Sequence, residues 1–247
     1  QSSIYEILLE KVKSGEISEE RINSSVKKIL LVKEKYGMLT QKKSRDISHA
    51  LKTVRTKREV EECICRHSIV LLRDKLKKLP INQNQSLGII EWNKARSTVQ
   101  LNEPVLTSYL EKQAKRYFDK VGVLILPLKK TDVSNINNFL KSYDNILVAP
   151  FSRTPEVEQL QAEMIREIIK IREDAVVIAT GNPYDIRNFQ DVKTYIVTFG
   201  YRDSQIQALF DNITGHFKFS GKLPVSIKGI FPRWYNQKQN QIEKIAI

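Results

Sequence analysis

Short apolar runs alternate with longer amphipathic stretches through most of the chain. Six largely apolar runs of five or six residues predict strands over Ser68–Leu72, Leu87–Glu91, Gly122–Leu126, Asn145–Pro150, Ala175–Thr180 and Thr194–Phe199. Apolar residues at helical spacing predict helices over Lys57–Arg66, Pro104–Phe118, Val133–Ser142, Pro155–Arg172 and Gln205–Asn212. Apolar strands separated by amphipathic helices are typical of a mainly parallel sheet with helices on both faces. The pattern therefore predicts an α/β fold, a three-layer α/β/α sandwich.

Two further helices are predicted before the first strand. Ile4, Leu8, Leu9 and Val12 lie on one face of the first helix. Ser18 is a typical N-cap for the second helix, and Gly37 is a typical end. Because no strand precedes them, their apolar faces have no local sheet to cover.

Changes in composition divide the chain into four parts. We expect a helical segment over residues 1–39, a basic linker over 40–59, the sandwich domain over 60–230 and a polar tail over 231–247. The tail contains Phe231, Trp234 and Tyr235, which have the apolar surface needed to dock on the sandwich.

The charge of the chain is strongly positive and unevenly distributed. The net charge is +13, and the segment from Lys42 to Lys78 alone has 12 Lys/Arg against 5 Asp/Glu. Such a segment can bind phosphate, an anionic polymer or a membrane surface, or it can be a solvated linker and helix face. It contains no Phe, Tyr or Trp, which argues against a nucleic acid partner. No apolar run approaches the roughly 20 residues of a membrane span. The first residues show no signal-peptide pattern, and the compartment stays open.

The usual cofactor and metal signatures are missing from the sequence. Neither G-x-G-x-x-G, a P-loop nor G-x-S-x-G occurs, so we expect no phosphate-binding loop, no nucleophile elbow and no cofactor. The two cysteines, Cys63 and Cys65, are predicted to be buried or half-buried thiols on one helix. The three histidines show no paired ligand spacing, so no metal site is predicted. Asp46 and His49 lie three residues apart in the basic segment and are interpreted as surface residues.

The segment Gly181–Asp185 is the strongest candidate for a functional loop. It follows the buried run Ala175–Thr180 directly, and the carboxyl edge of an α/β sheet is where ligands bind. Pro183 stiffens the loop, Tyr184 offers a stacking face and Asp185 an acceptor. One interpretation is a glycan or partner contact through Asn182, Tyr184 and Asp185. The alternative is a turn that starts a short helix, with Asp185 as its cap. Glu91, Trp92, Ser152 and Arg153 are expected at the same edge.

Several segments together resemble the family 3 glycoside hydrolases, in an order that covers nearly the whole chain. The segments are Gly15–Ser18, Arg21–Leu30, Lys33 with Tyr36–Leu39, Ser68–Asp74 with Leu79 and Pro80, Gly181–Asp185, Tyr195, Gly200–Tyr201, and Ser220–Ile227. The Gly-Asn-Pro-Tyr form is most similar to the bacterial β-N-acetylglucosaminidase (β-hexosaminidase) branch. The resemblance implies that residues 1–39 are the last helices of a (β/α)8 barrel that is otherwise missing.

The resemblance also implies which residues perform the chemistry in this branch. The nucleophilic Asp and an Asp–His acid/base dyad lie in the barrel, in the motifs Lys-His-Phe-Pro-Gly-His-Gly, Asp-Ser-His and Ser-Asp. These motifs are missing here, and Asp203-Ser204-Gln205 is no substitute because the His is replaced. No catalytic residue is carried over. The expected function is that of a non-catalytic C-terminal domain whose partners are the missing barrel and a glycan. The alternative is a free-standing domain that binds a glycan or an anionic polymer.

Overall fold

The computed structural model describes residues 2–39, 48, 51–52, 58–92, 108–127, 134–151 and 155–237. The chain divides into two compact units, Gln1–Thr56 and Lys57–Ile247. The first unit contains helices α1 (Ser2–Lys13) and α2 (Glu19–Lys35). Ser18 is the N-cap of α2, as predicted, and its hydroxyl accepts a hydrogen bond of 3.1 Å from the Arg21 amide.

The second unit is the predicted α/β sandwich. Its elements are α3 (Arg58–Ser68), β1 (Val70–Asp74), β2 (Leu87–Trp92), α4 (Glu111–Ala114), β3 (Val121–Leu126), α5 (Ser134–Lys141), β4 (Asn145–Ala149), α6 (Pro155–Ile171), β5 (Val176–Ala179), a 3₁₀ helix (Pro183–Asn188), β6 (Thr194–Val197) and α7 (Asp203–Ile213). All six predicted strands are present, each within two residues of its predicted bounds. The predicted helix Pro104–Phe118 is wrong over its described part, because only Glu111–Ala114 is helical.

The six strands form one sheet in the order β1-β6-β5-β4-β2-β3. The pairs from β6 to β3 are parallel, which confirms the mainly parallel sheet. Strand β1 is antiparallel to β6 at one edge, with Val70 opposite Val197. An apolar run does not encode the direction of its strand, so the sequence pattern did not reveal this exception.

Each face of the sheet is covered by helices and has its own apolar core. On one face, α5 and α6 pack over residues such as Ile90, Val148 and Val177. On the other, α3, α4 and α7 pack over Ile89, Leu147 and Ile178. Successive side chains of a strand point to opposite faces, so the continuously apolar strands supply both cores. The three-layer arrangement is therefore the one predicted.

The last described segment packs onto the sandwich. Phe231 is buried, and a short antiparallel bridge joins it to Ile227. Tyr235 is half-buried beside it, with 4.7 Å between the ring centroids. Trp234 remains exposed. The predicted linker falls largely outside the described residues, and the four predicted domain bounds remain predictions.

Candidate functional site

The parallel strands β2 and β4 are neighbours and end at the same edge of the sheet. The direction in which successive strands are added to the sheet changes between them. Strand β3 lies on one side of β2 and β4 on the other, with Glu91 of β2 opposite Ala149 of β4. The carboxyl edge at such a switch point is where open α/β sheets bind ligands. Glu91 and Trp92 lie at this edge, as expected. Ser152 and Arg153 lie outside the described residues.

A buried polar group lies at the switch point. The Glu91 side chain is 2% exposed. The hydroxyl of Tyr109 lies between this carboxylate and Thr180, 3.3 Å from the Thr180 Oγ1. Burial, followed by the nearby Glu91 charge, raises the pKa of Tyr109 well above its usual value. Tyr109 therefore stays a neutral hydrogen-bond donor across the whole working range of pH.

Aromatic rings cover this polar group. The Tyr201 ring lies 5.8 Å from that of Tyr109 and 5.2 Å from that of Phe151, both edge to face. The Gln161 side chain forms two hydrogen bonds with the backbone of Phe151. Its Oε1 accepts from the Phe151 amide at 2.9 Å, and its Nε2 donates to the Phe151 carbonyl at 3.0 Å. Among the described residues, the rings of Tyr109, Tyr201 and Phe151 therefore lie together at the switch point.

The loop after β5 forms the second part of the carboxyl edge. Residues Pro183–Asn188 form the short helix that the alternative interpretation expected. Its cap is Asn182, whose Oδ1 accepts a 3.1 Å hydrogen bond from the Tyr184 amide. The prediction of Asp185 as the cap is wrong. Pro183 occupies the first position of the helix, which needs no amide hydrogen there, so the loop is pre-organised.

The three predicted contact residues differ in accessibility. Asn182 and Tyr184 are half-buried, and the Arg187 guanidinium lies 5.0 Å from the centre of the Tyr184 ring. Asp185 is only 3% exposed, and its Oδ1 has no hydrogen-bond partner among the described residues. Tyr184 and Asn182 can therefore meet a ligand or a partner domain, whereas Asp185 can do so only after the loop moves. Their role as a contact remains a prediction.

The environment of Asp185 changes its acidity. Burial raises its pKa to about 7, and the charge of Glu158 on α6 adds to this rise. Arg187 and a hydrogen bond with Asn182 act in the opposite direction and are weaker. The adjacent Tyr195 is fully buried, and its pKa is also raised. Asp185 therefore titrates near neutral pH, unlike an ordinary surface aspartate.

The remaining candidates do not assemble into a site. Among the residues that the structure describes, no three His, Cys, Asp or Glu side chains are grouped as a metal site. Cys65 is buried but Cys63 is exposed, so the prediction of two buried or half-buried thiols is wrong for Cys63. Asp46 and His49 lie outside the described residues. The helices in the described part of the chain are all too short or too polar to be candidate membrane spans.

Sequence reasoning missed the residues that cover the switch point. Tyr109 was placed inside a predicted helix, where an aromatic residue indicates core packing. Tyr201 carried a weak signal, because it lies in the loop that follows the end of β6 at Val197 and is therefore near the same edge. Thr180 ends the apolar run of β5, and only the fold shows that Tyr109 reaches it.

Comparison with known proteins gives a family and a fold. The family described as the glycosyl hydrolase family 3 C-terminal domain matches residues 69–243. A comparison with curated proteins finds no match. Among solved structures, a glycoside hydrolase family 3 β-N-acetylglucosaminidase from Paenibacillus sp. str. FPU-7 is similar, with a TM-score of 0.66, 23% identity, and coverage of 89% of this chain and 42% of that one.

Two further structures extend the comparison. A fungal multi-domain family 3 β-N-acetylglucosaminidase has a TM-score of 0.66 at 17% identity, over 98% of this chain and 28% of its own. A β-glucosidase from Listeria innocua has a TM-score of 0.60 at 14% identity, over 87% of this chain and 33% of its own. The chain thus spans less than half the length of each of these structures. At these identities the likeness shows a shared fold.

Proposed function

Because this chain belongs to the family of glycosyl hydrolase family 3 C-terminal domains, we propose that it is the non-catalytic C-terminal part of a β-N-acetylglucosaminidase. The whole enzyme would release terminal β-linked N-acetylglucosamine from cell-wall or chitin-type glycans. An N-terminal barrel domain would supply the nucleophile and the acid/base dyad. This chain would brace the barrel and present Asn182 and Tyr184 at the border of the active site.

The observation that carries the proposal is the burial of the carboxyl groups at the carboxyl edge. Glycoside hydrolysis uses two carboxyl groups that flank the scissile bond. Glu91 is 2% exposed and Asp185 is 3% exposed. Glu91 lies under Tyr109, and Asp185 is surrounded by Glu158 and Tyr195 on the face that α6 covers. In the described conformation neither carboxyl group is accessible to a glycosidic oxygen, which favours a non-catalytic role for this edge.

Exposed apolar surface on the first unit supports the proposal of a partner domain. No residue of α2 is buried, and Ile29 and Leu31 are 56% and 53% exposed. A cleft of about 350 Å³ lies between α1 and α2, lined by Tyr5, Leu8, Leu9, Val12, Glu19, Ile22 and Asn23. Contiguous apolar surface of this kind marks an interaction site. The proposed occupant is the rest of the barrel to which these helices would belong.

The first experiment measures hydrolysis of an aryl N-acetyl-β-glucosaminide and an aryl β-glucoside. The present chain alone should turn over neither substrate, whereas the chain extended upstream through a barrel should cleave the N-acetylated substrate. Turnover by the present chain alone would contradict the non-catalytic role. Preference of the extended protein for the β-glucoside would contradict the proposed substrate, a real alternative because the structural neighbours include β-glucosidases.

The second candidate function is binding by a free-standing domain. It is favoured by the excess of cations from Lys42 to Lys78, 12 against 5 acidic residues. Such binding would weaken steeply as salt screens the charges. Titration of the chain with heparin and with muropeptides across a salt series tests it, and binding that is absent or independent of salt argues against it.

A further inference from the structure

Trp234 is exposed on the sandwich although its backbone conformation is unfavourable. Its φ angle is +65°, in the left-handed region that a bulky residue rarely adopts. Its side chain is nonetheless 56% exposed, so burial of the indole does not compensate for the strain. The other tryptophan, Trp92, is 2% exposed in the core. Strain of this kind persists where the surrounding structure enforces it, and it concentrates at functional sites.

The surrounding structure holds the Trp234 backbone firmly. Its amide donates to the Leu223 carbonyl at 2.6 Å, and the Leu223 amide donates to the Tyr235 carbonyl at 3.0 Å. The Asn236 side chain donates to the Gly221 carbonyl at 2.7 Å, and Asn236 is itself buried. Phe231 anchors the same segment in the core. The exposed indole therefore stands on a rigid base, which is what a pre-organised binding contact requires.

The segment that carries Trp234 is basic, and one of its cations contacts the indole. The Arg233 guanidinium lies 4.5 Å from the centre of the indole ring. The segment from Phe217 to Gln237 contains Lys218, Lys222, Lys228 and Arg233 and no Asp or Glu. All four cations are exposed. A ligand of this surface should therefore combine a ring with an apolar face, which can stack on the indole, with negative charge.

We propose that Trp234 and Arg233 form a binding site for a carboxylated carbohydrate. The indole would stack on the apolar face of a pyranose ring, and Arg233 would bind a carboxylate. A single-stranded nucleic acid also combines rings and charge, but binders of that class stack successive bases on several aromatics. Within the described part of the segment Phe217–Gln237, Trp234 is the one strongly exposed aromatic side chain. This site does not depend on whether the whole protein hydrolyses glycans.

The test is titration of the present chain with a hyaluronan tetrasaccharide, which carries carboxylates, and with neutral chitotetraose. Stacking on Trp234 should change its fluorescence, while the buried Trp92 stays unchanged as an internal reference. We expect the carboxylated sugar to bind at least about tenfold more tightly than the neutral one in low salt. No spectral change, equal affinity for both sugars, or tighter binding of an oligothymidylate would overturn the proposal.

Variants separate a binding role from a packing role. Trp234→Gly should raise the Kd for hyaluronan, measured by calorimetry, at least about tenfold. Its Tm should not fall, because glycine adopts the same φ without strain. Trp234→Tyr should retain most of the affinity, and Arg233→Gln should flatten the salt dependence. A clear fall in the Tm of Trp234→Gly, with the Kd unchanged, would show that the indole only packs against the protein.

Discussion

Arg172 and Asp174 form a two-bond fork just after helix α6. The Arg172 Nε donates to Asp174 Oδ1 at 2.8 Å, and its Nη2 donates to Oδ2 at 3.1 Å. The same guanidinium donates to the carbonyls of Leu140, Tyr143 and Asp144 and so satisfies the end of α5. One side chain thereby joins two helices that cover the same face of the sheet.

Replacement of Arg172 by Ala should lower the free energy of unfolding by about 3 kcal/mol, because it leaves several acceptors unsatisfied at once. Arg172→Lys should recover only part of this loss, because an ammonium group cannot reproduce the fork. Urea unfolding measures both. Lys170→Ala, in the last turn of helix α6, is the matched control. Lys170 forms an exposed pair with Glu167, so its loss should change stability by less than about 0.5 kcal/mol. Equal effects of the two changes would contradict the role of Arg172.

Asp185 should make the stability of the protein depend on pH. Its pKa is about 7 in the folded state, above the ordinary value of 3.8. Between these two values the unfolded state has lost the proton and the folded state has kept it, so stability falls as pH rises from about 4 to about 7. Above pH 7 the effect of this group is constant. The total is up to about 4 kcal/mol.

Asp185→Asn removes this titration. The variant should therefore gain stability relative to the parent protein as pH increases from 4 to 7, measured by urea unfolding at each pH. Asp203→Asn is the control, because Asp203 pairs with Lys112 in an exposed position. A constant difference between Asp185→Asn and the parent over this range would show that Asp185 titrates normally.

Gly221 and Gly181 should respond very differently to a methyl group. A Cβ at Gly221 would lie 2.4 Å from the Ile69 carbonyl oxygen, a backbone atom that cannot move aside. A Cβ at Gly181 would have an ordinary contact of 3.9 Å with Phe151. Gly221→Ala should therefore cost about 2 kcal/mol or more, and Gly181→Ala should be nearly neutral. Thermal unfolding of both variants measures this difference. An unchanged Tm for Gly221→Ala would show that the Ile69 carbonyl does not lie so close to Gly221.

The hydroxyl of Tyr109 should be important for the packing of the carboxyl edge. Tyr109→Phe removes a donor that serves the buried Glu91, so it should cost about 1–3 kcal/mol. Glu91→Gln in the same background should restore part of the loss, because a neutral amide is cheaper to bury than a carboxylate. Tyr184→Phe is the control, since its half-buried ring is retained. If Glu91→Gln destabilises Tyr109→Phe further, the buried charge is satisfied by another group.

Much of the fold could be predicted because burial on both faces leaves a direct trace in the sequence. Strand β4, for example, is buried at every position, and its residues are apolar except for Asn145. Helix α6 has an apolar face and is 17 residues long, longer than any of the described strands. The helix before β3 is shorter than predicted, because Tyr109 and Leu110 pack on the core of the sheet from a turn. Tertiary contacts outweighed local propensity there.

The candidate site was predictable in position but not in its contents. The order of strands and loops places Gly181–Asp185 and Glu91 at one edge, because parallel strands end together. Whether a side chain at that edge is exposed depends on what packs over it, and those residues are distant in sequence. The sequence alone indicates that Asp185 is an accessible acceptor, whereas in the structure it is buried near Glu158 and Tyr195. The sequence alone makes Trp234 a candidate to dock the tail on the sandwich, but in the structure its neighbours Phe231 and Tyr235 pack there and Trp234 is exposed.

The sequence by itself determined the α/β class, the six strands, the capped second helix and the family resemblance. These properties depend on local periodicity and on short motifs. The tertiary structure alone decided the antiparallel edge strand, the covering of the switch point by Tyr109 and Tyr201, the raised pKa of Asp185 and the exposure of Trp234. Each of these depends on which residues far apart in the chain become neighbours. The Gly181–Asp185 loop accordingly lies where the sequence indicated, but its carboxylate points into the protein.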